Sequence, residues 1–98
     1  MPRGIFAIRC GPTAGVWVES AMDLETAQNR TWFALQHGDA QVDKQAAAEF
    51  QAYGADAFTF EVLEKFDEDV AQLALRDLLK ERKRHWAAAL NARTLWPV

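Results

Sequence analysis

Three side chains in the last third of the sequence have the types and spacing of a metal site. Asp77, Glu81 and His85 lie four residues apart, so on a helix they form one stripe. Carboxylate oxygens and an imidazole can together hold a divalent cation, and carboxylates suit Mg²⁺ or Mn²⁺. The same spacing is typical of a solvated helix face stabilised by contacts between successive turns, so both interpretations stay open.

The same segment contains the one cluster of basic side chains in the sequence. It consists of Arg76, Lys80, Arg82, Lys83 and Arg84. Because residues 82–84 are consecutive, these side chains spread around a helix. Such a cluster can contact the phosphates of DNA or RNA. It can also be a solubilising face near a helix C-terminus, where cations complement the helix dipole.

These residues need a scaffold, and the hydrophobic pattern predicts one in the order ββααβα. The predicted elements are a strand at 4–9, a turn at 11–15, a strand at 16–18, helices from Leu24 to about Gln36 and from about Asp43 to Tyr53, a strand at 58–63, and a helix from near residues 67–69 to about Asn91. Residues 93–98 form a short tail. The sequence therefore predicts an α+β domain with three antiparallel strands and helices packed on them.

Other residues with chemical potential have simpler interpretations. His37 precedes Gly38 at the expected end of the first helix, which predicts a solvent-exposed cap residue rather than a catalytic group. The aromatic residues alternate or repeat toward a core, so packing is expected of them rather than base stacking. They are Phe6, Trp17, Phe50, Phe58 and Phe60.

Composition limits the class of protein. The 98 residues, 50% of them hydrophobic, suffice for one domain over residues 1–98, with a core from about 4 to 91. The net charge of −3 excludes a strongly basic histone-like binder, and the balance is −5 over residues 1–64 but +2 over 65–98. A single cysteine, Cys10, excludes an internal disulfide and a multi-cysteine zinc site. Without a long apolar run or a signal-peptide region, a cytoplasmic protein with no membrane association is expected.

Five segments, in this order, resemble the motifs of the GIY-YIG nuclease domain. They are Gly4-Ile5-Phe6; Val16-Trp17-Val18-Glu19; Ser20-x-x-Asp23-Leu24; Phe50-x-x-Tyr53-Gly54 with Phe58-x-Phe60-Glu61-Val62-Leu63-Glu64; and Glu81-Arg82-x-x-x-Trp86-x-x-x-Leu90-Asn91. The segment between Glu64 and Glu81 is several residues longer than is usual. The match of Glu81 to the family's glutamate therefore depends on the downstream Trp86 and Leu90-Asn91.

The resemblance implies phosphodiester hydrolysis with one divalent cation, Mg²⁺ or Mn²⁺, held by the glutamate that matches Glu81. The two motif tyrosines and a helix arginine surround the scissile phosphate in the family. Here Phe6 and Trp17 occupy the tyrosine positions and Ala27 the arginine position. Arg30, one turn further on, is the candidate replacement. Glu19 stands at the motif glycine, and its strand register decides which way its charge faces.

Two functional hypotheses follow from the resemblance. In the first, the domain has lost hydrolysis and binds nucleic acid through residues 76–84, or a protein through exposed aromatics such as Trp17, Trp32 and Trp96. In the second, it is a divergent metal-dependent DNA endonuclease with Glu81 as metal ligand, assisted by Asp77 or His85, and Arg30 at the phosphate. If it is inactive, no cofactor is expected. The sequence does not encode the oligomeric state. The remaining alternative is an unrelated small α/β domain with a chance resemblance.

Overall fold

The structure, a computed structural model, describes residues 2–39, 41–66 and 71–96, except for the side chain of Gln72. Its elements are β1 (Arg3–Cys10), β2 (Gly15–Ala21), α1 (Leu24–Gln36), α2 (Lys44–Tyr53), a 3-10 turn (Ala55–Ala57), β3 (Phe58–Phe66), α3 (Gln72–Ala89) and β4 (Arg93–Thr94). The predicted order ββααβα is confirmed, with one strand added at the end. The predicted start of the last helix at residues 67–69 lies outside the described residues.

The sheet has four strands in the order β3-β1-β2-β4. β1 is central and antiparallel to both β2 and β3, as predicted. The added strand, β4, pairs in parallel with β2 and places Arg93 opposite Trp17. Leu95 anchors this tail, because its side chain is fully buried and its amide donates to Val18 O at 3.1 Å. The segment predicted as a tail is therefore part of the sheet and of the core.

Helices cover both faces of the sheet, and the alternation of β1 assigns a core to each face. Phe6 and Ile8 enter the first core, where α1 and α2 pack. Ile5 and Ala7 enter the second core, where Leu75 and Leu79 of α3 pack. A strand that is buried on both faces reads as a continuous apolar run, and this explains the sequence of β1.

Caps and close backbone approaches fix the ends of these elements. Asp23 caps α1 by accepting the amide of Glu25 at 3.0 Å, and Gly54 ends α2 with a positive φ of 81°. At Gly4, a Cβ atom would lie 1.9 Å from Glu64 O, so only glycine lets β3 approach β1 beside the bulge between Ile5 and Phe6. None of the described helices is long and apolar enough to cross a membrane.

Candidate nucleic-acid interface at the motif positions

The first motif position, Phe6, is part of the first core. Its side chain is 2% exposed and stacks on Phe60, with ring centroids 4.8 Å apart and planes inclined by 23°. The ring also borders a cavity of about 190 Å³. Since phenylalanine lacks the tyrosine hydroxyl, this position offers an apolar wall and no group that exchanges a proton.

The second motif position, Trp17, is buried and already hydrogen-bonded. Its indole N–H donates to Asp43 Oδ2 at 2.8 Å, and the same oxygen accepts the amide of Ala46 at 3.1 Å. Asp43 is the N-cap of α2, so Trp17 connects β2 to the start of that helix. The single polar atom of the indole is used for structure and does not face a ligand.

Glu19 lies on the same face of the sheet as its cross-strand partner Phe6, and its charge is neutralised there. Its carboxylate is 2.9 Å from Lys83 Nζ and accepts the amides of Ser20 and Trp96, each at 2.8 Å. Lys83 Nζ also donates to Trp96 O at 3.2 Å. Glu19 therefore does not add a free negative charge at the motif positions. With Lys83 it holds the backbone of Trp96 on both sides.

Arg82 has an internal role of the same kind. Its Nε donates to Glu64 Oε1 at 2.9 Å, and Trp86 Nε1 donates to the same oxygen at 2.8 Å. Burial opposes the charge of Glu64, but these two hydrogen bonds and the positive charge of Arg82 outweigh it, so the pKa of Glu64 lies below its ordinary value of 4.5. Arg82, Glu64 and Trp86 thus fasten α3 to β3.

Three members of the basic cluster stay exposed. Arg76, Lys80 and Arg84 lie four residues apart on α3, so they form one line along the helix, here called the α3 basic stripe. None of them forms an ion pair with another described residue. The structure therefore separates the cluster into two internal cations, Arg82 and Lys83, and three that face solvent.

The candidate metal ligands also lie on the outer surface of α3. Asp77, Glu81 and His85 are exposed, and Glu81 does not line the cavity beside Phe6. No group of three metal-ligating side chains occurs among residues 2–39, 41–66 and 71–96. The described side chains therefore offer a divalent cation single, solvated ligands rather than a built site. The structure does not bring Glu81 together with Phe6 and Arg30.

The cavity beside Phe6 is named the motif cleft. Its main lining residues are Phe6, Ser20, Met22, Ala27, Arg30 and Trp96. Ala27, at the family's arginine position, is 4% exposed and leaves the cleft without a charge at that point. Arg30 is exposed at its edge, one turn further along α1. Arg30 thus lines the same cleft as Phe6, and Glu81 is not among the residues that line it.

Two larger grooves each share lining residues with the motif cleft. The α3 groove, of about 730 Å³, shares Ser20 and Met22 with the cleft and is bordered by Arg76 and Lys80. The α1 groove, of about 710 Å³, shares Arg30 and Trp96 with it and is bordered by Phe33 and His37. The motif cleft thus shares lining residues with both grooves, with Arg76 and Lys80 on the α3 groove and Arg30 between the cleft and the α1 groove.

The tryptophans that the sequence offered as protein-binding residues are mostly internal. Trp17 is 2% exposed. Trp32 packs against the first core, with ring centroids 5.8 Å from Phe50 and 6.2 Å from Phe58. Trp96 remains partly exposed and lines both the cleft and the α1 groove. Its position depends on Glu19, which is distant in sequence, so no local pattern reveals it.

His37 and Phe33 form a pair of exposed rings near the end of α1. His37 is the exposed C-cap residue of α1, as predicted. Its ring lies against Phe33, with centroids 4.2 Å apart, and Phe33 is 65% exposed. The helical spacing of four residues between them was available in the sequence, but it does not reveal that both border a groove.

Fold and motif positions together define the class of protein. The chain has the fold of the catalytic domain of GIY-YIG nucleases, so the resemblance and the predicted α+β fold are confirmed. It is similar to a solved structure of the catalytic domain of the intron endonuclease I-TevI, in a glutamate-to-alanine mutant, with 28% identity and a TM-score of 0.74. That match covers 93% of this chain and 86% of the other.

A second solved structure, the catalytic domain of the homing endonuclease I-TevI, matches at 29% identity with a TM-score of 0.71. It covers 91% of this chain and 88% of the other. No family model and no curated protein matches the sequence. The solved structures therefore carry the assignment, and the match spans nearly the whole domain.

Proposed function

We propose that this domain has lost phosphodiester hydrolysis and binds nucleic acid across the surface formed by the α3 groove, the motif cleft and the α1 groove. The observation that carries the proposal is the state of the motif positions. Phe6 and Trp17 are buried, and the polar atom of Trp17 is bonded to Asp43. The fold is kept, but the side chains at these two motif positions pack in the core and offer no reactive group.

Hydrolysis requires a group that removes a proton from water and charges that stabilise the phosphate in the transition state. Phe6 and Trp17 cannot accept a proton, and Ala27 carries no charge. Removal of a single stabilising donor at an active site typically reduces the rate by about 10²–10³. Three such losses together favour a domain without significant hydrolytic rate.

Binding needs cations that face solvent along one path. The α3 basic stripe supplies Arg76, Lys80 and Arg84, and Arg30 lies at the edge of the motif cleft. Each phosphate that such a cation contacts releases counterions, which adds affinity at low salt. Because the whole chain has a net charge of −3, the binding is expected to be modest and strongly weakened by salt.

The test combines a cleavage assay with a binding assay. Plasmid and single-stranded DNA are incubated with Mg²⁺ and with Mn²⁺, with Glu81→Ala as the reference variant. Binding of labelled DNA and RNA is followed by fluorescence anisotropy. We expect no cleavage, and binding that the combined Arg76→Ala, Lys80→Ala and Arg84→Ala variant abolishes. Lys44→Ala, which removes an exposed cation on α2 outside this surface, should bind as the unmodified domain does.

The second candidate function is a divergent metal-dependent DNA endonuclease. It is favoured by Arg30, which lies at the edge of the motif cleft and could contact a phosphate there. In that case Glu81 would hold Mg²⁺ or Mn²⁺, and the cation would act as a Lewis acid on the phosphate. Metal-dependent cleavage that both Glu81→Ala and Arg30→Ala abolish would support this candidate and overturn the inactive domain.

A further inference from the structure

The motif cleft has lost the groups that suit a phosphate and has become largely apolar. Phe6 and Ala27 form walls where the motifs call for a hydroxyl and a guanidinium, and Met22 lies beside them. Placing a phosphate against Phe6, Met22 and Ala27, rather than at Arg30 on the edge of the cleft, is costly. A nucleobase carries no charge, so its flat face packs against such a wall at a much lower cost. A cavity of about 190 Å³ is small for a drug-sized ligand but suited to a single ring system.

Trp96 gives the cleft a rigid aromatic wall. Its amide donates to Glu19 Oε1 at 2.8 Å and its carbonyl accepts from Lys83 Nζ at 3.2 Å, so its backbone is held from both sides. The preceding residue, Leu95, is fully buried. A fixed aromatic ring loses little conformational entropy when a base stacks on it, and stacking is tolerant of base identity.

One polar atom in the wall lacks a partner. The hydroxyl of Thr31, a residue that is 1% exposed, forms no hydrogen bond with any described residue, although Thr31 borders the cleft. An unsatisfied buried hydroxyl is unfavourable, and the edge of a bound base carries donors and acceptors that can satisfy it. A ligand that fills this largely apolar cavity is therefore expected to offer a hydrogen-bond partner to Thr31.

Next to the cleft, the protein surface offers contacts for a neighbouring phosphate and a neighbouring base. Arg30 borders both the cleft and the α1 groove, so a phosphate next to a base in the cleft lies within its reach. Beyond it, Phe33 is 65% exposed and packs on His37. An exposed aromatic ring one step past a cation is the arrangement by which proteins follow an unpaired strand.

We infer that the motif cleft binds one unpaired base, stacked on Trp96, with the adjacent phosphate at Arg30. The ligand class is single-stranded nucleic acid, or a duplex from which one base has been extruded. This inference rests on the proposed function, because it specifies which form of nucleic acid the domain binds. It also gives the degenerate motif positions a role, since Phe6 and Ala27 line the cleft.

The experiment compares three labelled probes by anisotropy: a short single-stranded oligonucleotide, the same sequence as a perfect duplex, and a duplex with one bulged base. Trp96→Ala should weaken binding of the single strand about 5- to 100-fold and leave the perfect duplex unchanged. Thr31→Val, which keeps the shape but removes the hydroxyl, should weaken it about 2- to 10-fold. Ala27→Leu, which fills the cleft, should equalise the three probes.

Matched controls keep the test decisive. Tyr53→Ala removes an exposed aromatic ring on α2, and Ala52→Leu enlarges an exposed alanine there, so neither should alter any probe. Thermal unfolding shows whether each variant is folded. If Trp96→Ala is unfolded, the affinity of Thr31→Val for the three probes tests the inference instead. Equal affinity for all three probes in the unmodified domain, with loss only in the α3 stripe variant, would overturn this inference and leave the proposed function intact. Absence of binding to every probe would overturn both.

Discussion

The motif cleft and the outer surface of α3 descend from the same set of motifs but differ in how their polar groups are used. At the motif positions in and beside the cleft, Phe6 is apolar, Trp17 is hydrogen-bonded to Asp43, and Glu19 is paired with Lys83. On α3, the basic stripe and Glu81 remain in contact with solvent. The buried motif residues are apolar or already bonded within the protein, whereas the exposed charges of α3 face solvent.

The physical reason for this difference lies in the cost of unsatisfied groups. A buried polar group that loses its partner is expensive, whereas replacing it by an apolar group of similar shape can be nearly neutral. An exposed charge is solvated and costs little either way. Buried motif positions therefore need either a polar partner or an apolar side chain, whereas exposed positions of α3 are under no such constraint.

Lys83→Met should produce the largest effect on stability, because it breaks the ion pair that neutralises the buried charge of Glu19. Glu19 is 4% exposed and would remain as a buried, unpaired charge. We expect the free energy of unfolding to fall by about 3–5 kcal/mol, as measured by urea denaturation. The double variant Glu19→Gln with Lys83→Met should recover most of this loss. Lys80→Met, on the exposed stripe of the same helix, should change stability by less than about 0.5 kcal/mol. Equal effects of the two single variants would contradict the division between cleft and surface.

Trp17→Phe should have the next largest effect, since it removes the hydrogen bond to Asp43 and part of the buried ring. We expect a loss of about 1–3 kcal/mol in urea denaturation. Trp32→Phe is the matched control, because this half-buried indole forms no hydrogen bond with a described residue. A loss at Trp17 no greater than that at Trp32 would show that the bond to Asp43 contributes nothing measurable.

The acidic limb of the stability curve tests the fastening of α3 to β3. The pKa of Glu64 is lower in the folded protein than the ordinary value of 4.5, because the bonds from Trp86 and Arg82 outweigh burial. A depressed pKa contributes stability above the unfolded value and loses it as the pH falls through the folded value. The free energy of unfolding should therefore decrease below about pH 4.5, and Glu64→Gln should flatten that decrease. An acidic limb that Glu64→Gln leaves unchanged would contradict this role of Glu64.

Local patterns predicted the elements well, because they depend on neighbours in sequence. The predicted α1 from Leu24 to about Gln36 coincides with the observed helix, and Gly54 ends α2 as expected. β4 could not be predicted, because two residues carry no periodicity and Leu95 is buried only by tertiary packing. The split of the basic cluster was equally hidden, because Lys83 and Arg82 pair with acids on distant strands. The cleft itself depends on which face of β1 carries Phe6, and the register settles that only in the folded sheet.

The smallest predicted effect concerns nucleic-acid affinity and a single cation of the α3 basic stripe. If Lys80 contacts a phosphate, Lys80→Ala should weaken nucleic-acid binding similarly for all sequences and reduce the slope of log affinity against log salt by about 1. Lys83→Ala is not a suitable control, because removing Lys83 breaks its ion pair with Glu19. Lys44→Ala therefore serves as the control that removes the same charge. A titration at several salt concentrations measures both slopes. Identical slopes for Lys80→Ala and Lys44→Ala would place the bound phosphates away from the α3 basic stripe, and the exposed charges of α3 would then serve solubility alone.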